Sequence, residues 1–130
     1  HPAMINAVYK MFGEKLVIIS DSLRCAGMPD GEYELGGLPI TMKDGLARLH
    51  DGTIAGSATN LLQELKNVVS YGIPLESAVY AVTAAPARSI GLSDSIGALD
   101  VGKCADILVL DEALELKAAF VDGRPVYGEL

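Results

Sequence analysis

Asp21 is the side chain in this sequence best placed to do chemistry. It follows an apolar run, Leu16-Val17-Ile18-Ile19-Ser20, and a loop from Ser22 to Gly27 succeeds it. A short run of that character suits a strand covered on both faces, as in a parallel sheet flanked by helices. Such sheets bind ligands beyond the carboxyl ends of their strands. A carboxylate at that point can serve as a general base at the rim of a barrel, taking and returning a proton. The competing reading is a carboxylate that caps a helix or bonds loop amides, a common use of Ser-Asp-Ser. The sequence leaves both open.

Few other residues compete. His1 and His50 are the only histidines, and no HxH, HExxH or His/Cys cluster occurs, so the chain holds no typical zinc motif of its own. His50, beside Asp51-Gly52, reads as an exposed turn residue, and His1 as a chain-end residue without fixed surroundings. Thr53-Ile54-Ala55-Gly56-Ser57 leads towards a helix. Its small residues let a ligand approach the backbone, and the free N–H groups of a helix start attract anions or carbonyl oxygens. An ordinary turn with Ser57 as cap accounts for the same residues. Cys104 reads as a small buried hydrophobe. Cys25 lies in a loop near Asp21, where a reactive thiol is one reading; no base stands near it in sequence, which favours an inert one. Arg88 is expected to pair with a loop carboxylate. Lys103 and Asp106 are expected to fix the turn into the strand after them.

The elements that must position Asp21 come next. Pro2 suits the first turn of a helix from Pro2 to Phe12 that Gly13 ends. The apolar strand, Lys15 to Ser20, follows. Glu32–Leu35, Leu38–Lys43 and Leu46–Leu49 are β-prone runs separated by Gly36-Gly37 and Asp44-Gly45, which predicts an antiparallel meander. Pro39 puts its strand at an edge, or else stands at the strand's start. Thr59 or Asn60 caps a helix through Tyr71 that Gly72 stops. Pro74 opens a second, Leu75 to Val82, and Thr83 a third, Ala84 to Ile90. Strands Ala105–Leu110, Leu114–Val121 and Arg124–Tyr127 close the chain, the last two joined at Asp122-Gly123. Three such strands need a partner sheet, and His1-Pro2-Ala3 reads as mid-protein sequence. The expectation is the C-terminal piece of something longer.

Composition narrows the class. The 130 residues suit one ordinary domain, and half of them are hydrophobic, with few aromatics and no Trp. Ten Lys and Arg against seventeen Asp and Glu give a formal net charge of −7. A duplex nucleic-acid binder needs a basic face, which this balance does not supply. No membrane patch of basic residues occurs, and no apolar run approaches the roughly 20 residues that span a bilayer. Two lone cysteines without a CxxC partner suggest reduced thiols and a cytoplasmic protein.

Several of these segments together resemble one family. Leu16 through Ser22 with Gly27-Met28-Pro29-Asp30-Gly31-Glu32-Tyr33, then Asp51-Gly52-Thr53-Ile54-Ala55-Gly56-Ser57, is similar to the C-terminal part of the N-acetylglucosamine-6-phosphate deacetylases. Thr83-Ala84-Ala85-Pro86-Ala87-Arg88, Gly91 and Gly97 through Asp106 resemble the tail of the wider amidohydrolase superfamily. The resemblance implies an α/β fold: the C-terminal part of a (β/α)8 TIM barrel, with terminal strands of a flanking β-sandwich. Residues 1–92 would hold the last barrel strand, the inserted meander and the helices, and 93–130 the sandwich strands. Asp21 would be the catalytic acid/base, and Ile54, Ala55 and Gly56 would line the substrate pocket. The activity implied is hydrolysis of the acetamide of N-acetylglucosamine 6-phosphate in amino-sugar catabolism. A divalent metal ion, zinc or similar, would supply the nucleophile by lowering the pKa of bound water. Its ligands in the family, a Glu and two His, lie on strands upstream of residue 1, and the family's substrate-binding His falls just before it. These residues alone would then bind no catalytic metal and hydrolyse nothing. The partners implied are a small amino-sugar phosphate and further copies of the chain, a homo-oligomer, with no nucleic acid and no membrane. The alternatives are another amidohydrolase, such as an N-acyl amino acid deacylase, and a non-catalytic fragment that packs or oligomerises.

Overall fold

The computed structural model of the chain describes residues 1–128. Its first element, α1 (Pro2–Phe12), starts with Pro2 in the first turn and is capped by His1, whose Nδ1 accepts from the Ala3 N–H at 3.3 Å. His1 is therefore fixed by its own helix and not loose at the chain end. Gly13 closes the helix at φ 52°, a left-handed conformation that favours glycine.

The expected strand over Lys15–Ser20 does not form a ladder. Lys15 ends a short 3₁₀ turn, and residues 16–20 pair with no strand. A strand exists through hydrogen bonds to neighbouring strands. Here the described residues offer the Ile18 N–H only the Ala81 carbonyl, at 2.9 Å. The side chains still alternate. Ile18 packs into a core with Leu65, Val68, Ile73 and Ala78, while Val17 and Ile19 are 37% and 71% exposed. The segment is thus covered on one face only, against the expectation of two.

The meander forms with the expected turns. Strands β1 (Gly31–Leu35), β2 (Leu38–Lys43) and β3 (Leu46–Leu49) are antiparallel, and a fourth, β4 (Ile54–Ser57), adds to β3. The order is β1-β2-β3-β4. Asp44 and Gly45 both have positive φ, 51° and 73°, as a two-residue hairpin matched to strand twist requires. Pro39 lies in an inner strand rather than an edge one. It stands near the start of β2 and pairs only with Glu34, because β3 joins from Ile40 onward. The sheet buries Ile40, Met42 and Ala47 against Cys25 from the loop after Asp21.

Three helices follow: α2 (Leu61–Ser70), α3 (Leu75–Val82) and α4 (Ala84–Ser89). Asn60 is the cap of α2, its side chain accepting from the Gln63 N–H at 2.9 Å. The chain ends in a three-stranded antiparallel sheet, β5 (Ile107–Leu110), β6 (Leu116–Val121) and β7 (Arg124–Tyr127), in sequential order. The last two residues of the expected 93–130 unit lie outside the described residues. An ion pair of 2.7 Å between Lys66 on α2 and Glu115 in the β5–β6 turn links this sheet to the helices.

Candidate functional site

Asp21 ends the half-covered segment and begins the loop to β1. Its φ is 49°, left-handed backbone that an Asp adopts more readily than most residues but still at a cost. The other non-glycine residues in this region are Asp44, Leu114 and Asp122. Asp44 and Asp122 each precede a glycine between antiparallel strands, and Leu114 belongs to the β5–β6 turn. Asp21 lies in no hairpin, so something else must hold it.

Ser57 does so. Its N–H donates to the Asp21 carbonyl at 3.1 Å, and its own carbonyl accepts from the Leu23 N–H at 2.8 Å. These two bonds form a parallel bridge between Ser22 and Ser57. The Ser22 hydroxyl adds a 2.5 Å bond to the Thr59 carbonyl. The last residue of β4 therefore grips the backbone on both sides of Ser22, and Asp21 is held from outside its own segment. Its carboxylate accepts no hydrogen bond among the described residues, and the residue is exposed. The helix-cap and loop-amide reading of Asp21 thus finds no partner. An exposed, unengaged carboxylate on a braced backbone can take up and release a proton.

Gly56 leaves room for the Leu23 side chain beside this grip. A Cβ there would come within 2.8 Å of Leu23 Cδ2 and 3.4 Å of the Asp21 carbonyl oxygen. A side chain at this position would therefore displace Leu23 before it met the loop's backbone. The rest of the Thr53–Ser57 stretch is a strand, not the plain turn into a helix that the sequence suggests. Gly56 pairs with Ala47 and Ile54 with Arg48. Ile54 is 59% exposed, whereas Ala55 packs against the sheet's core. The turn before it is tied by Asp51, which accepts from the Thr53 N–H at 2.9 Å. That bond and the Thr53 hydroxyl hold the Asp51 carboxyl below the usual carboxylate range. Arg48 Nη1 donates to the Gly52 carbonyl at 2.7 Å. Asp21 and Gly56, far apart in sequence, are thereby neighbours, with Ile54 and Ala55 on the same strand.

A second chain of polar contacts runs away from Ser57, and the sequence reading missed it by treating Thr59 only as a helix cap. The Ser57 and Thr59 hydroxyls are 2.7 Å apart, and the Thr59 hydroxyl donates to Glu64 Oε1. The signal was a threonine just ahead of a helix with a Glu in its first turn.

The remaining candidates take structural places. Cys25 is buried beneath the sheet, which suits an inert thiol. Cys104 is exposed, contrary to expectation: only its backbone is engaged, its N–H donating to the Ser95 carbonyl at 2.8 Å, and no apolar neighbours close over the thiol. Arg88 donates to the Glu14 backbone carbonyl at 3.1 Å and stands 5.7 Å over the Tyr80 ring, and among the described residues no loop carboxylate partners it. Lys103 Nζ donates to the Ser93 carbonyl, and Asp106 accepts from the Asp122 N–H at 2.9 Å. His50 is exposed beside its turn. Among the described residues no three His, Cys, Asp or Glu side chains converge as a metal site, so this donor set does not fit a catalytic metal. Among the described residues no helix is long and apolar enough to cross a membrane.

Comparison with known proteins covers nearly the whole chain. The amidohydrolase family model matches residues 5–126. The N-acetylglucosamine-6-phosphate deacetylase of Vibrio furnissii is 34% identical over 98% of this chain and 32% of its own length. The N-acetylgalactosamine-6-phosphate deacetylase of Escherichia coli O157:H7 is 32% identical over 95% of this chain and 33% of its own. Among solved structures, an Asp-to-Ala variant of the Mycobacterium smegmatis N-acetyl-D-glucosamine-6-phosphate deacetylase, in complex with N-acetyl-D-glucosamine-6-phosphate, superposes with a TM-score of 0.89. It is 35% identical over 96% of this chain and 34% of that one. The chain spans about a third of the length of these relatives.

Proposed function

Because the chain belongs to the amidohydrolase family, we propose that it forms the C-terminal part of a metal-dependent deacetylase acting on N-acetylglucosamine 6-phosphate. The products are glucosamine 6-phosphate and acetate. The observation that carries this reading is the likeness, over 96% of the chain, to an enzyme solved with that sugar phosphate bound.

The proposed chemistry is amide hydrolysis. Water must lose a proton to become a good nucleophile, and the amine leaves only when protonated, so one carboxylate serves as base and then acid. Asp21 takes that role. It removes a proton from the water attacking the acetyl carbonyl and delivers one to the nitrogen as the C–N bond breaks. Its open carboxylate and its braced, left-handed backbone support the assignment. Ile54, Ala55 and Gly56 line the pocket beside it. The exposed Ile54 side chain and the bare backbone at Gly56 suit close contact with a sugar.

A divalent ion supplies Lewis acidity in this family's chemistry, and its ligands lie outside these residues. The 16–20 segment is the last strand of a (β/α)8 barrel, and its open face, Val17 and Ile19, packs there against the rest of the barrel. Residues 93–130 add strands to an accessory β-sandwich, beside a barrel unit of 1–92. The 130 residues alone are inactive. The enzyme is a cytoplasmic homo-oligomer, in keeping with two unpaired thiols and with exposed Met4, Met11 and Phe12 on α1.

The E. coli relative favours a second sugar, the C4 epimer N-acetylgalactosamine 6-phosphate. Acetate release by the full-length protein from both sugar phosphates and from an N-acetyl amino acid tests the proposal, with sizing of the same preparation. The expected result is highest kcat/KM on N-acetylglucosamine 6-phosphate, in a species larger than a monomer. Preference for the amino acid, or no release from either sugar, contradicts the function. A clean monomer contradicts the assembly.

A further inference from the structure

We infer that Thr59 and Glu64 are positioning residues for Asp21, acting through Ser57; the inference rests on the acid/base reading of Asp21. The hydrogen-bond directions follow from the groups involved. An ionised Glu64 only accepts, so the Thr59 hydroxyl donates to Glu64 Oε1. Its proton thus committed, the Thr59 oxygen accepts from the Ser57 hydroxyl, 2.7 Å away. The Ser57 oxygen in turn accepts from the Thr59 N–H at 3.0 Å. The series runs one way, from Ser57 through Thr59 to Glu64, with a carboxylate as terminus.

Each end of the series is anchored. Glu64 lies in the first turn of α2, where the helix dipole favours a negative charge, and its Oε2 is 3.4 Å from Asn67 Nδ2. At the other end, Ser57 holds the Asp21 carbonyl and the Leu23 N–H, and the Thr59 carbonyl receives the Ser22 hydroxyl. Thr59 therefore touches the Asp21 loop with its carbonyl and α2 with its hydroxyl. Among the described residues Asp21 itself makes no side-chain bond that could hold it in place. Its left-handed backbone is held by the main chain of Ser57, which pairs with Leu46 in β3 and whose side chain is held by this series. An acid/base moved by a fraction of an ångström loses rate before it loses substrate affinity, since a misplacement of about 1 Å costs on the order of a hundredfold.

The test uses the full-length protein and its sugar phosphate. Thr59→Val keeps the shape and removes the hydroxyl; Thr59→Ser keeps the hydroxyl. We expect Thr59→Val to lower kcat by about tenfold to a hundredfold with KM changed by less than about threefold, and Thr59→Ser to restore kcat. In an Asp21→Asn background Thr59→Val should cause no further loss, because the two act as one unit. Wild-type kcat in a folded Thr59→Val, or equal impairment in Thr59→Ser, overturns the inference. Should Thr59→Val not fold, Glu64→Gln carries the test: a kcat reduced severalfold at unchanged KM supports it, and wild-type kcat rejects it. An inactive Asp21→Asn beside a fully active Thr59→Val rejects positioning alone. Full turnover by Asp21→Asn rejects the acid/base reading beneath it.

Discussion

A carboxylate exchanges protons with a substrate through a lone pair that its surroundings leave free, and it does so repeatedly when its backbone holds its position. Asp21 meets both conditions by division of labour: its side chain is unbonded among the described residues, and Ser57 holds its main chain. Glycine plays the complementary part at two places. Gly56 leaves room for the Leu23 side chain of the Asp21 loop. Gly97, at φ 90°, lets the segment after α4 lie against it: an added Cβ would be 2.7 Å from Ala87 Cβ and 3.1 Å from the Thr83 carbonyl oxygen. Backbone lies on two sides there, so relief by side-chain rotation is closed. Gly97→Ala should therefore destabilise the fold by about 1–3 kcal/mol, from overpacking and left-handed strain together. Urea denaturation measures this, and an unchanged midpoint would show that the segment can move away. At this scale the sequence was an uneven guide. Asp21 and Gly56 stand out by type and setting. The burial of Cys25 and the exposure of Cys104 are not legible, because burial depends on what packs across from a residue, and its neighbours in sequence are silent on that.

Elements were legible where their signals are local. Helix α1 runs from Pro2 to Phe12 as read, since a proline start and a glycine stop act within one turn. The Asp44-Gly45 hairpin is likewise encoded in two residues. Strand β4 was missed: Ile-Ala-Gly-Ser shows neither alternation nor β-branched enrichment, and its strand state comes from pairing with β3. Residues 16–20 are the opposite case: their apolar run reads as a strand, and the described residues supply no neighbouring strand to form its ladder. The β5–β6 turn shows how an exposed pair can still matter. Asp111 Oδ2 is 2.9 Å from Lys117 Nζ, and Oδ1 accepts from the Ala113 and Glu115 N–H groups. These hold the Asp111 carboxyl below the usual carboxylate range, and Asp111 in turn raises Lys117. A carboxyl depressed in the folded state stabilises the fold above its unfolded pKa, and that contribution is lost as pH falls through the folded value. Asp111→Asn should lower thermal stability at neutral pH, and its difference from wild type should vanish at strongly acid pH. A difference independent of pH would assign the effect to the turn's hydrogen bonds instead of its charge.

At the scale of the whole molecule, two buried clusters divide the work. One lies beneath the meander around Ile40 and Cys25, and the other lies between α2, α3 and the 16–20 segment. Asp21 sits at the junction, joined to the first through Leu23 and to the second through Ile18. Movement of the meander relative to the helices would therefore be felt at the carboxylate. The chain covers about a third of its relatives' length, and the open Val17 and Ile19 face fits the proposal that further barrel strands complete the site. The central claim is that the Asp21 carboxylate moves the proton in amide hydrolysis. Asp21→Asn in the full-length protein, assayed by single-turnover acetate release alongside equilibrium binding of N-acetylglucosamine 6-phosphate, tests it most directly. The account predicts a rate lower by at least about a thousandfold, within the range that acid–base catalysis contributes, with affinity changed by less than about threefold. Acetate release within about tenfold of wild type would contradict it.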